Sequence, residues 1–167
     1  MGVRAKVAGA VLVTGLGAVL GTACGGASGE EGSRAAQVYV ATIRDVVADL
    51  PPREDPEVVP VVYVVGVGES AIPADVQAEV AAELDGDVDI RFADERSEAL
   101  LEDEEKVPVR DEGVLIAIGE LPEGTYPVDL PVEIYRSEDD WSKVILTLAR
   151  RSSQWTVTSS SVVPTDS

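Results

Sequence analysis

Between Val58 and Val67 the chain reads VVPVVYVVGV, and between Val114 and Gly119 it reads VLIAIG. Short runs of β-branched and aliphatic residues bounded by turn formers are strands, and here no polar residue recurs at the period of two that marks a strand with one wet face. Such strands have to be covered on both faces. Two of them in one chain place a buried sheet at the centre of the fold.

The rest of the pattern supplies partners for that sheet. Ser33 can cap a helix reaching about Leu50, with Ala36, Tyr39, Val40, Ile43, Val46, Val47 and Leu50 on one face at spacings of three and four. Pro51 and Pro52 stop it. After Gly66 and Gly68, read as turn residues, Pro73 opens a second helix to Leu84, striped by Val76 and Val80 and ended by Asp85-Gly86. Val88 to Phe92 alternates and predicts a strand with one wet face.

The segment from Ala93 to Gly113 holds nine acids and few large apolar residues. Its composition fits either a short helix over Ser97 to Lys106, anchored by Leu100 and Leu101, or a mobile acidic loop. Beyond it, Val128 to Tyr135 alternates, and Pro127 and Pro131 suit an edge position or a bulge. Turns at 137–140 and 151–153 then separate two more strands, Trp141 to Arg150 and Gln154 to Val163. The expected fold is α+β: two helices packed on a mixed sheet ending in an antiparallel C-terminal meander. This order resembles, in topology alone, the cystatin-like and nuclear-transport-factor-like domains, in which an N-terminal helix lies across a curved sheet. The early strand-helix-strand unit departs from them.

The first residues read differently. Arg4 and Lys6 precede an uncharged apolar stretch from Val7 to Leu20, too short to span a bilayer, and Leu20-Gly21-Thr22-Ala23 leads small side chains into Cys24. That is the build of a secretory signal. Its end resembles the lipobox of bacterial lipoproteins, with Gly21 where a larger aliphatic residue is usual. The resemblance implies that residues 1–23 are removed, that Cys24 becomes the first residue, and that it carries at least two acyl chains, enough to hold a protein at a membrane where one chain is not. Cys24 is the sole cysteine, so no internal disulfide competes for it. The chain as a whole resembles exported lipoproteins of high-GC Gram-positive bacteria, with ten arginines against three lysines and abundant valine and alanine. Residues 25–32 are glycine-rich and read, with Cys24, as a flexible tether (24–32) spanning roughly 15 Å, followed by one domain over 33–163 and a short tail at 164–167.

Charge bounds the partners. The chain carries −18, and removal of residues 1–23 takes Arg4 and Lys6 with no acid, leaving −20. A surface of that sign repels polyanions and anionic lipid, which argues against nucleic acid as a partner and against direct docking of the body on the membrane.

Residue types bound the chemistry. With no histidine, the Ser-His-Asp and Cys-His arrangements, the HExxH zinc motif and the usual neutral-pH proton shuttle are absent. Gly66-Val67-Gly68 lacks the third glycine of a dinucleotide fingerprint. Asp85-Gly86-Asp87-Val88-Asp89 opens like a calcium loop but has Ile90 where glycine is required and Arg96 where a bidentate glutamate is required. No metal ligand set and no cofactor are expected. Glu102-Asp103-Glu104-Glu105 reads as a solvated run. Trp141 and Trp155 either pack the sheet against the first helix or form, with Tyr135, a shallow binding surface. The expectation is a lipid-anchored protein on the extracytoplasmic face of the cell membrane, acting as a non-enzymatic accessory or binding module with a protein partner in the cell envelope. The alternative is a carboxylate-dependent hydrolase of envelope glycans, which needs two acids facing across a cleft.

Overall fold

The computed structural model describes residues 28–164, apart from 53, 54, 56, 57, 69, 70 and 125. The signal segment 1–23, Cys24, residues 25–27 of the tether and residues 165–167 of the tail lie outside the described residues.

Helix α1 spans Ser28–Ala48, so it starts five residues before Ser33 and takes in 28–32 of the expected tether. Glycines at 29 and 32 suggest a linker. However, acidic residues in the first turn of a helix suit the positive end of its dipole. Its buried residues include Ala36, Val38, Tyr39, Val40, Ile43 and Val46, a stripe wide enough to serve both the sheet and a neighbouring helix.

Strand β1 (Val61–Gly66) leads into α2 (Ala74–Glu83) and then β2 (Asp89–Phe92). Gly68 and Gly86 adopt φ of +79° and +82°, the left-handed turns that glycine permits without a side-chain clash. β1 pairs in parallel with β2 on one side and with β3 (Val114–Ile118) on the other. The antiparallel meander β4 (Val128–Ser137), β5 (Asp140–Arg151) and β6 (Gln154–Val162) completes a six-stranded mixed sheet in the order β2-β1-β3-β4-β5-β6. The fold is α+β as expected, with β4 as the exception to the strand reading. It lies inside the sheet, between β3 and β5, and not at an edge. Pro131 is tolerated there because its carbonyl accepts from Gly119 at 2.8 Å, so its missing N–H also faces the β3 side, just past the end of β3. The expected bulge lies further along, between Tyr135 and Ser137.

Both helices cover one face. Val62, Val64, Ile116, Leu130 and Leu146 form the main core with Ile43, Val80 and Leu84. The other face of β1, β3 and β4 is covered by the segment after β2, which is neither the short helix nor the mobile loop expected. Residues 96–99 make a single 3₁₀ turn, Leu100 bridges to Val109, and a second short turn follows at 110–112. Ala99, Leu100 and Val109 are buried against Val61, Tyr63, Leu115 and Tyr135. The reason lies in the two apolar strands: helices shield one side only, so most of the few apolar residues of this acidic crossover are recruited to shield the second. Leu101 remains partly exposed.

Candidate functional site

The crossover stops short of β5 and β6, so half of the second sheet face is open. Alternation along β5 sends Val144, Leu146 and Leu148 to the helices, and Trp141, Lys143 and Ile145 to the open side. Register then sets Tyr135 opposite Trp141, Glu133 opposite Lys143 and Pro131 opposite Ile145. Trp141 is 42% exposed and Ile145 36%, whereas Tyr135 is buried.

Charge and aromatic groups alternate across this ledge. The Lys143 ammonium lies 5.7 Å from the centre of the Trp141 ring and 3.6 Å from a Glu133 oxygen. The other Glu133 oxygen pairs with Arg96, whose guanidinium stacks 4.2 Å from the Tyr135 ring centre. Arg96 comes from the crossover, so the crossover forms one wall of the ledge. Glu133 is thus held between two cations, as an acceptor in a charge lattice and not as a free acid. The surface offers a partner apolar contact at Trp141 and Ile145, with the charged pair Glu133–Lys143 between them.

A second polar cluster stands on the same face at the opposite edge. Arg91 donates to the Tyr63 hydroxyl at 2.8 Å and to Asp89 at 2.7 Å, and it also pairs with Asp111. Arg91, then Tyr63, holds the Asp111 carboxyl below its ordinary range. The cluster fastens the second 3₁₀ turn to β1 and β2.

The three expected site aromatics do not share one surface. Trp141 is on the open ledge, and Tyr135 is beneath its wall. Trp155 pairs with Arg150 on the helix side of the sheet, where it packs on the main core. Its ring meets Tyr126 edge-on at 5.9 Å, and the Arg34 guanidinium lies 5.8 Å from it. This follows from strand parity, since a two-residue turn at Ser152-Ser153 puts Trp155 opposite the even-numbered, core-facing positions of β5. The same parity identifies Glu133, Lys143 and Ile145 as companions of Trp141. An open groove of about 820 Å³ lies between α1, α2 and the β5–β6 turn, with Val40, Ala41, Arg44, Glu83 and Trp155 in its walls. Arg44 is engaged there, donating to the Glu83 carbonyl at the C-terminus of α2 and pairing with Asp87.

Among the described residues no three acidic, cysteine or histidine side chains converge as metal ligands, and no helix is long and apolar enough to cross a membrane. No acidic side chain among them is buried, so no buried acid faces another across a cleft. No protein family, curated protein or solved structure matches the chain.

Proposed function

We propose that this chain is a lipid-anchored lipoprotein of the extracytoplasmic cell envelope, whose domain is a non-enzymatic module that binds a protein partner through the open half of its sheet. The anchor rests on the lipobox resemblance at Leu20 to Cys24. The binding role rests on one observation: Trp141 and Ile145 stand exposed on one face of β5, on either side of Lys143, in a ledge that also carries Glu133 and Arg96. Large aromatic side chains set among neutralised charges are the usual centres of protein interfaces.

The test is crosslinking in the native membrane from a photoreactive residue placed at Ile145, followed by identification of the crosslinked species. One reproducible protein partner, lost in the Trp141→Ala variant, is the expected result. Recovery of glycan in its place would support the hydrolase alternative and overturn this reading.

A further inference from the structure

The anchor and the fold together define which end of the domain meets the membrane. Only residues 25–27 separate Cys24 from Ser28, so four chain steps keep the anchoring residue within about 14 Å of the start of α1. Arg34 follows about 9 Å along the helix. It donates to the Pro122 carbonyl at 3.0 Å and lies over Trp155. Tyr126, 62% exposed, donates to the Arg150 carbonyl, and Arg150 and Arg151 are both exposed at the β5–β6 turn. The N-terminal part of α1, the loop before β4 and the β5–β6 turn therefore form one corner.

This corner differs electrically from the rest of the chain. The β5–β6 turn carries Arg150 and Arg151 and no acid, whereas the acids nearest to it, Asp45, Glu79 and Glu83, lie along the groove on the helix side and Glu120 and Glu123 in the loop before β4. The other end of β5 is strongly acidic. Lys106 pairs with Asp139 and its carbonyl accepts from Glu138, which brings the acidic run Glu102–Glu105 next to the turn Glu138–Asp140. Along β5 the two ends are separated by roughly 30 Å. Screening acts over about 8 Å, so a lipid head group at the corner is indifferent to the acids at the far end. Net charge, which argues against docking of the body as a whole, does not govern this corner.

We infer that the domain stands on anionic lipid at the β5–β6 corner, with Arg150, Arg151, Tyr126 and Trp155 at the head-group level and the acidic end turned away. The aromatic pair supplies the amphipathic rings that favour a membrane–water interface, and the arginines supply attraction to anionic head groups. The open ledge around Trp141 then lies at the membrane-distal end, clear of the lipid. This inference rests on Cys24 being the anchoring residue.

The two tryptophans report on it directly. The chain from Cys24 to Ser167 is coupled through its single thiol to maleimide lipid in vesicles of phosphatidylglycerol and phosphatidylcholine that contain nitroxide-labelled lipid. Trp141→Phe leaves Trp155 as the reporter, and Trp155→Phe leaves Trp141. Quenching of Trp155 but not Trp141 is expected, weakened about fivefold for each arginine charge removed at positions 150 and 151, and weakened in vesicles of phosphatidylcholine alone. Equal quenching, stronger quenching of Trp141, or indifference to lipid charge would overturn the inference. In the unaltered chain, nitroxide broadening of amides 150–153 but not of 138–140 reads the same orientation without relying on either tryptophan variant. Chemical coupling makes the result independent of lipidation in the cell. Metabolic labelling of the wild-type chain with a fatty acid, lost in Cys24→Ser, tests the anchor by itself.

Discussion

The Tyr135 hydroxyl donates to the Val107 carbonyl at 2.9 Å, and so fastens the most acidic segment of the chain to the middle of its sheet. Val107 and its neighbour Lys106 have φ of +43° and +68°, a region that β-branched residues in particular avoid. The segment is held in this shape by what it touches. Tyr135→Phe should cost about 1 kcal/mol in urea denaturation, and hydrogen exchange at Leu101 and Val109, whose amides bond to Pro108 and Arg136, should quicken. Unchanged exchange would mean that apolar contacts alone hold the crossover.

Those contacts centre on Leu100, which is 7% exposed. Leu100→Ala is expected to cost about 2–4 kcal/mol and to make residues 93–113 the first site of limited proteolysis. In the wild-type protein the same residues should resist protease as well as the flanking strands do. Early cleavage of the wild type there would contradict the packing described.

Gly113 enters β3 with no room for a side chain. A Cβ would come within 2.9 Å of the Val61 carbonyl and 3.0 Å of the Arg110 carbonyl, both backbone atoms with little freedom to move. Gly113→Ala should destabilise by about 1–3 kcal/mol, with the melting temperature as the readout. A neutral result would show that β1 and β3 are less closely joined at that point.

Two aspartates should respond to pH with opposite signs. Burial, then Asp49, raises the Asp45 carboxyl above its ordinary value. A raised acid holds its proton more firmly folded than unfolded, so the stability it contributes at low pH is lost as pH climbs through the carboxylate range. Asp45→Asn should therefore stabilise the protein at pH 7, by less than about 0.5 kcal/mol because solvent screens the site, and the gain should disappear at low pH. Asp111 runs the other way. Its lowered carboxyl favours the folded state above the unfolded value, and that contribution is lost as pH falls through the folded one. Acid should free the 110–112 turn before the core, seen as early exchange at Gly113, whose amide bonds to Arg110.

The tryptophans should separate cleanly in stability. Trp141→Ala, on the open ledge, should stay within about 0.5 kcal/mol of wild type while abolishing partner crosslinking. Trp155→Ala removes a ring packed on the core and should cost about 1–3 kcal/mol. Equal losses would place Trp141 in the structural core.

Where apolar residues recur with a period, the sequence is legible. The runs at Val61–Gly66 and Val114–Ile118, the stripe of Val76, Val80 and Leu84, and the two C-terminal hairpins all stand where their patterns put them. The crossover was illegible because Ala99, Leu100, Val107 and Val109 follow no period, and their burial is decided by the naked second face of distant strands. Pro131 misdirected the placement of β4 because tolerance of a missing N–H depends on where the neighbouring strand ends. At the ledge, Trp141 was legible as a residue. Its separation from Trp155 required counting strand parity through the turn, and the pairing of its neighbour Glu133 with Arg96 required the crossover.

The first helix of the domain rests against its last strand, with Arg34 over the Trp155 ring. A chain made from its N-terminus thus presents α1 roughly 5–20 s before β6 exists, at ordinary synthesis rates. Over that interval Val38, Ile43 and Val46 have no completed sheet to cover them. The contact of α1 with β6 can form only when synthesis is nearly finished, a delay that would suit the proposed export of the chain in an unfolded state.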